Sequence, residues 1–166
     1  MNKNLAICIM VVLFLSIGCH NTFYLRPTST CQPLSAFDTL VISPFNGDAA
    51  FVEEEQYRLL PHQIAVATTE QLKDQIEDSH MFSKVIQSSD CVDRAIRIDG
   101  KIYILSHKRR SFNVFSRGQI INCQTGESLY KFDKENNNSE SSKLPHEIAE
   151  DLTGGIKERL TCEKPK

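Results

Sequence analysis

The sequence predicts an α+β fold: a two-layer sandwich in the order β-α-β-β-β-β-α, with two helices on one face of a mixed, mostly antiparallel sheet. Three observations carry this. From Ala95 to Leu105, Ile96, Ile98, Gly100, Ile102 and Ile104 alternate with Arg97, Asp99, Lys101 and Tyr103, the period of a half-buried strand. Two other stretches repeat apolar residues at helical spacing, one through Leu60, Ile64, Ala67, Leu72 and Ile76, the other through Ile148, Leu152, Ile156 and Leu160. Short polar turns separate the last three strands, as antiparallel neighbours allow.

The chain opens with one lysine, Lys3, and then thirteen uncharged, mostly apolar residues from Leu5 to Ile17. A helix needs about 20 apolar residues to cross a bilayer core, so this run is too short to span one. A basic head, a short apolar stretch and a small residue before the break describe an export signal. Ser16-Ile17-Gly18-Cys19 resembles the end of a bacterial lipoprotein signal, with Ser16 standing where a leucine is usual and the Gly18-Cys19 pair intact. The resemblance implies that residues 1–18 are removed and that Cys19 carries a diacylglycerol and an amide-linked acyl chain such as palmitate. Two or three chains at about 0.8 kcal/mol per buried methylene would hold the protein to a membrane essentially permanently. His20 in place of aspartate after the cysteine implies, by the same resemblance, the outer membrane, with the protein facing the periplasm.

Residues 19–36 are polar and interrupted by Pro27 and Pro33, and they read as a tether. Its seventeen residues after Cys19 would reach at most about 55–60 Å. Residues 37–162 read as a single domain. Leu40, Val41 and Ile42 form a buried strand that ends at Pro44. Asn46-Gly47-Asp48 reads as a loop. A helix follows over 53–78, with Glu53, Glu54 and Glu55 near its start and Pro61 as a conflict that moves its true beginning toward Leu60. Phe82 to Ile86 is a second strand, 95–105 the third, 112–123 the fourth, with Gly118 marking a bulge, and 128–132 the fifth. Lys134 to Lys143 reads as a flexible polar loop. Pro145 to Leu160 is the last helix, with proline in its first turn. Gly154-Gly155 inside that helix points either to close packing or to a kink.

Without residues 1–18, the 166-residue chain is 148 residues long, about one domain. Lys3 leaves with them, so 18 basic residues face 21 acidic ones, a net of −3. That balance excludes a general nucleic-acid footprint. Cys31, Cys91, Cys123 and Cys162 remain after Cys8 is removed and Cys19 is lipidated. Four cysteines in an exported chain predict two disulfides with three pairings open. If the first two strands are parallel neighbours, the ends of strands two and four share an edge. Cys91 then lies near Cys123, and Cys31 is left for Cys162.

The strand "FDTLVISPF" with its long helix, "MFSKVI", "IRIDGKI" and the strand-turn "INCQTGESLYKF" resemble a group of small-domain envelope lipoproteins. These are the periplasmic domain of the curli-secretion channel lipoprotein, the N-terminal domain of the Tol-system propeller protein, and related lipoproteins. The resemblance covers Phe37 to Leu160 and implies an assembly or interaction domain of the periplasm.

Catalytic signatures are weak. His20, His62, His80, His107 and His146 share no ligand spacing, and no nucleophile elbow or phosphate loop stands out. No cofactor or metal is expected. The basic turn His107-Lys108-Arg109-Arg110, with Phe112 beside it, is a candidate partner contact for an acidic surface or anionic headgroups. The expected function is therefore a lipid-anchored interaction module in envelope assembly, transport or secretion. Its expected partners are the membrane, an envelope protein and further copies of itself. The alternative is an accessory lipoprotein that binds a small ligand or lipid.

Overall fold

The computed structural model describes residue 23 and residues 25–50, 52–108 and 111–162. Seven strands form one sheet: β1 (Arg26–Pro27), β2 (Thr39–Ile42), β3 (Asn46–Asp48), β4 (Lys84–Gln87), β5 (Ala95–Lys108), β6 (Ser111–Asn122) and β7 (Ser128–Asn138). The helices are α1 (Leu60–Ser79) and α2 (Leu144–Glu158). The sheet order is β1-β7-β6-β5-β2-β4, with β3 alongside β5. β2 runs parallel to both β4 and β5, and β3 is also parallel to β5. The β5-β6-β7 meander and β1 are antiparallel. This is the α+β two-layer arrangement the sequence predicts.

The alternation along β5 sets the layers. Ile96, Ile98, Ile102 and Ile104 are buried beneath the helices, with Leu40, Ile42, Val114, Ile120 and Phe132 beside them. Ile64, Leu72 and Ile76 of α1 and Ile148, Leu152 and Ile156 of α2 complete the core. Pro61 falls in the first turn of α1, where its missing N–H costs nothing, and a 3-10 turn at Glu55–Tyr57 precedes it. The charges at 53–55 therefore lie outside the helix.

Three stretches depart from the sequence reading. The segment read as a tether is packed against the domain at Phe23 and from Leu25 onward: Leu25 and Leu34 are buried, and β1 pairs with β7. Its main chain finds partners at the end of α2, where Leu34 N–H donates to the Arg159 carbonyl (2.8 Å) and Arg159 Nε donates to the Leu25 carbonyl (3.1 Å). Two isolated leucines carry no period, so the sequence pattern could not announce them. Asn46–Asp48 is a short strand, not a loop. The polar stretch after Phe132 continues β7 to Asn138, because every second residue turns to α2 and meets an acid. Lys134 and Asn136 both donate to Asp151, and Asn138 donates to Glu147. These bonds replace the apolar alternation that would have announced a strand.

Disulfides join Cys31 to Cys162 and Cys91 to Cys123, closing separations of 131 and 32 residues. Loops of this size correspond to roughly 3–5 kcal/mol each on a chain-entropy model.

The two adjacent glycines of α2 play different parts. A Cβ on Gly155 would lie 2.7 Å from the Phe23 ring, whereas one on Gly154 would meet nothing within 4 Å. Gly154→Ala is therefore expected to raise stability by about 0.5–1 kcal/mol. Gly155→Ala should lower it by roughly 1–3 kcal/mol by displacing Phe23. Urea denaturation of the two variants checks the opposite signs.

Candidate functional site

The face of the sheet turned away from the helices forms an open groove of about 1030 Å³ across β1, β7, β6 and β5. Strand register places its charges in rows. Arg26, Lys131, Gln119 and Asp99 form one row, and Asp133, Arg117 and Lys101 form the next. Glu135, Phe115 and Tyr103 follow, with Tyr103 and Phe115 tilted at 6.3 Å. Gly100 and Gly118 lie opposite each other and line the groove between the rows.

Five cations line the groove, Arg26, Arg97, Lys101, Arg117 and Lys131, against two acids, Asp99 and Asp133, a local net of +3. Two cations are committed. Arg97 forks onto Asp99, with Nη2 donating to Oδ2 at 3.0 Å and Nε 2.9 Å from Oδ1, and its Nη1 donates to the Ser89 carbonyl. Arg26 lies 3.2 Å from Asp133. Arg117 lies over the Phe115 ring at 5.3 Å, and Lys101 and Lys131 make no ion pair among the described residues. The register sets Lys101 directly opposite Arg117, and Arg26 directly opposite Lys131. Like charges in such positions oppose sheet pairing.

The rim at Arg26 is held from the opposite face of β7. Tyr130 O–H donates to the Gln32 carbonyl (2.6 Å), its oxygen lies 3.2 Å from Cys31 Sγ, and the Arg159 guanidinium stands 5.9 Å from its ring centre. Burial pushes the Tyr130 phenol above its ordinary value of 10.0, opposed by the Arg159 guanidinium. Arg159 thus links Leu25 to the end of α2 and to the middle of β7.

Of the residues singled out from the sequence, Cys19, Arg109 and Arg110 lie outside the described residues. Lys108 closes β5 opposite Ser111. Phe112 is half-buried on the core side, edge-on to Tyr57 at 5.6 Å. The phenylalanine of β6 turned to the outer face is Phe115, beside Tyr103. The basic residues that do come together, Arg26, Lys101, Arg117 and Lys131, are far apart in sequence. Only the outward positions of β5, including Lys101 and Tyr103, could be read from alternation alone. No group of three or more histidine, cysteine or acidic side chains able to hold a metal occurs among the described residues.

No protein-family model matches the chain, and no curated protein matches it in sequence. Solved structures do share its fold. The PelC dodecamer from Paraburkholderia phytofirmans is 12% identical, with a TM-score of 0.53 over 80% of this chain and 96% of PelC. A point variant of the same dodecamer gives 13% identity, a TM-score of 0.50, and coverage of 80% and 95%. At this identity the likeness shows the fold alone.

A raised phenol value in the folded state means that Tyr130 contributes stability below its ordinary value of 10.0, and that this contribution is lost as pH rises through the higher folded value. Thermal unfolding across alkaline pH is expected to show this decline. Tyr130→Phe should flatten it and cost about 1 kcal/mol at neutral pH through the lost bond to Gln32.

Proposed function

We propose that this chain is a lipid-anchored interaction module of the bacterial envelope, tied through Cys19 to the outer membrane and acting by protein contact with no catalytic step. The observation that carries this reading is the open edge of β7. β1 pairs only with Lys131 and Tyr130, and Thr28 N–H donates to the Leu129 carbonyl beyond them (3.0 Å). From Phe132 to Asn138, the outer side of β7 meets no strand among the described residues. Counting in twos from Leu129, the main-chain groups of Asp133 and Glu135 turn to that side. A partner strand can add there by main-chain bonds, while the charged side chains discourage indiscriminate pairing.

Two disulfides suit an exported, oxidising location. The PelC structures are dodecamers, which supports a second copy of this chain as one partner. Kinship with the curli-secretion and Tol-system domains belongs to the same proposal and rests on the strand pattern. A small-ligand accessory role is the second reading, favoured by the volume of the outer-face groove.

In-cell photo-crosslinking tests the edge. A photoreactive residue at Glu135 is expected to give discrete adducts in the membrane fraction, with an envelope protein or at multiples of the chain's own mass. The same residue at Glu70, exposed on α1, should give few. Indistinguishable labelling from both positions would overturn edge pairing, and an unchanged membrane fraction for Cys19→Ser would overturn the anchor.

A further inference from the structure

We propose that the basic groove on the outer sheet face docks onto the anionic phosphate headgroups of the membrane to which Cys19 ties the chain, so that the domain lies on the bilayer surface. This rests on the Cys19 anchor and adds to it an orientation and a lipid contact.

Chain length comes first. The Phe23 ring is packed 5.8 Å from that of Phe132, and Leu25 is buried. Four residue steps separate Cys19 from Phe23 and seven separate it from Arg26. Fully extended, these span at most about 14 Å and 25 Å. A lipid on Cys19 therefore holds the groove rim within about 25 Å of the headgroups, whatever course residues 20–22 take.

Charge comes second. The groove has a local net of +3, while the chain without residues 1–18 has −3. Lys101 faces Arg117 and Arg26 faces Lys131 across the strands, placements that oppose pairing; Asp133 meets Arg26, and Lys101, Arg117 and Lys131 make no ion pair among the described residues. Phosphate groups would give these three cations the partners that the protein does not. Next to these rows, Tyr103 and Phe115 are half-buried on the outer face, and Leu105 is 39% exposed. Cations beside an aromatic and aliphatic margin suit the boundary between headgroups and acyl chains.

The lipid source is favoured over an acidic protein because the anchor supplies phosphates at high local concentration without any further binding event. Surface potential reaches about 10 Å at 0.1 M salt, and each cation brought near an anionic surface is worth roughly fivefold in binding.

Lysine footprinting on the lipidated protein tests the proposal. The protein is reconstituted on vesicles of phosphatidylcholine alone, or with phosphatidylglycerol, and acetylated with a water-soluble reagent. Lys101 and Lys131 are expected to react at least about fivefold more slowly on the anionic vesicles, with Lys73 on α1 unchanged. Lys101→Glu/Arg117→Glu should abolish the protection of Lys131 while the protein stays anchored, and Lys101→Gln should weaken it. Equal labelling on both vesicle types, with the protein retained, overturns docking and leaves the anchor standing. Protein that washes off both types removes the anchor and the proposal together. Equal protection by millimolar inorganic phosphate on neutral vesicles would mark a free-anion site and overturn the membrane as its source.

Discussion

The domain depends on a hollow in the middle of its sheet. Gly100 and Gly118 face each other across β5 and β6, and Gly118 faces Phe132 across β6 and β7. A Cβ at Gly100 would lie 2.5 Å from the Phe45 ring, and one at Gly118 would lie 2.0 Å from the Asp99 carbonyl and 2.3 Å from Phe132. The missing side chains admit the two rings, which stack at 6.5 Å, and Phe23 extends the cluster toward Gly155. Interiors at crystal-like density have no slack at such a point, so a single methyl group there would displace an aromatic ring. The same two glycines line the groove on the outer side. Their missing side chains are on the core side, while their main chain forms part of the groove floor between the two charged rows.

From that centre the packing extends to Phe23 and Leu25 on one side and to Cys162 on the other. Phe23 and Leu25 bring the N-terminal segment onto α2, Arg159 and Tyr130 tie its main chain down, and the Cys31–Cys162 bridge closes the circuit. The bridge restricts the unfolded chain, while the hydrogen bonds and burial select where the segment lies. A free tether of Thr, Ser and Pro would have kept the domain clear of a membrane. On the proposed Cys19 anchor the packed segment would do the reverse, because only residues 20–22 separate Cys19 from the first packed ring.

Legibility in the sequence follows the physics of each element. β5 and both helices were readable because one buried face imposes a period, and Ile96 to Ile104 or Ile148 to Leu160 show it directly. Pro61 marked the start of α1 because its missing N–H is tolerated in one turn only. The C-terminal half of β7 was not readable as strand, because Lys134, Asn136 and Asn138 are held by acids of α2 in place of apolar contacts. Leu25 and Leu34 were missed because single anchors have no period. Of the groove, the outward placement of Lys101 and Tyr103 was legible from alternation. Its assembly was not, since Arg26, Lys101, Arg117 and Lys131 meet only through the order β1-β7-β6-β5 and its register.

The like-charge pair Lys101–Arg117, and Lys131 of the pair Arg26–Lys131, sit on strands whose other side carries buried core residues. Each such pair opposes pairing by a fraction of a kcal/mol, whereas burying one large core side chain contributes about 1.5–3 kcal/mol. The core can thus carry the electrostatic load without losing the fold. Contacts to separate phosphates are individually weak in water and screened within about 10 Å at 0.1 M salt. They become sufficient when a covalent lipid has already brought the surface within reach, since tethering turns a bimolecular encounter into a local one. On the proposed anchor, a groove of modest charge and a three-residue leader would therefore act together. With a long leader the same cations would meet the membrane only occasionally, and with no cations the short leader would fix distance but leave orientation free.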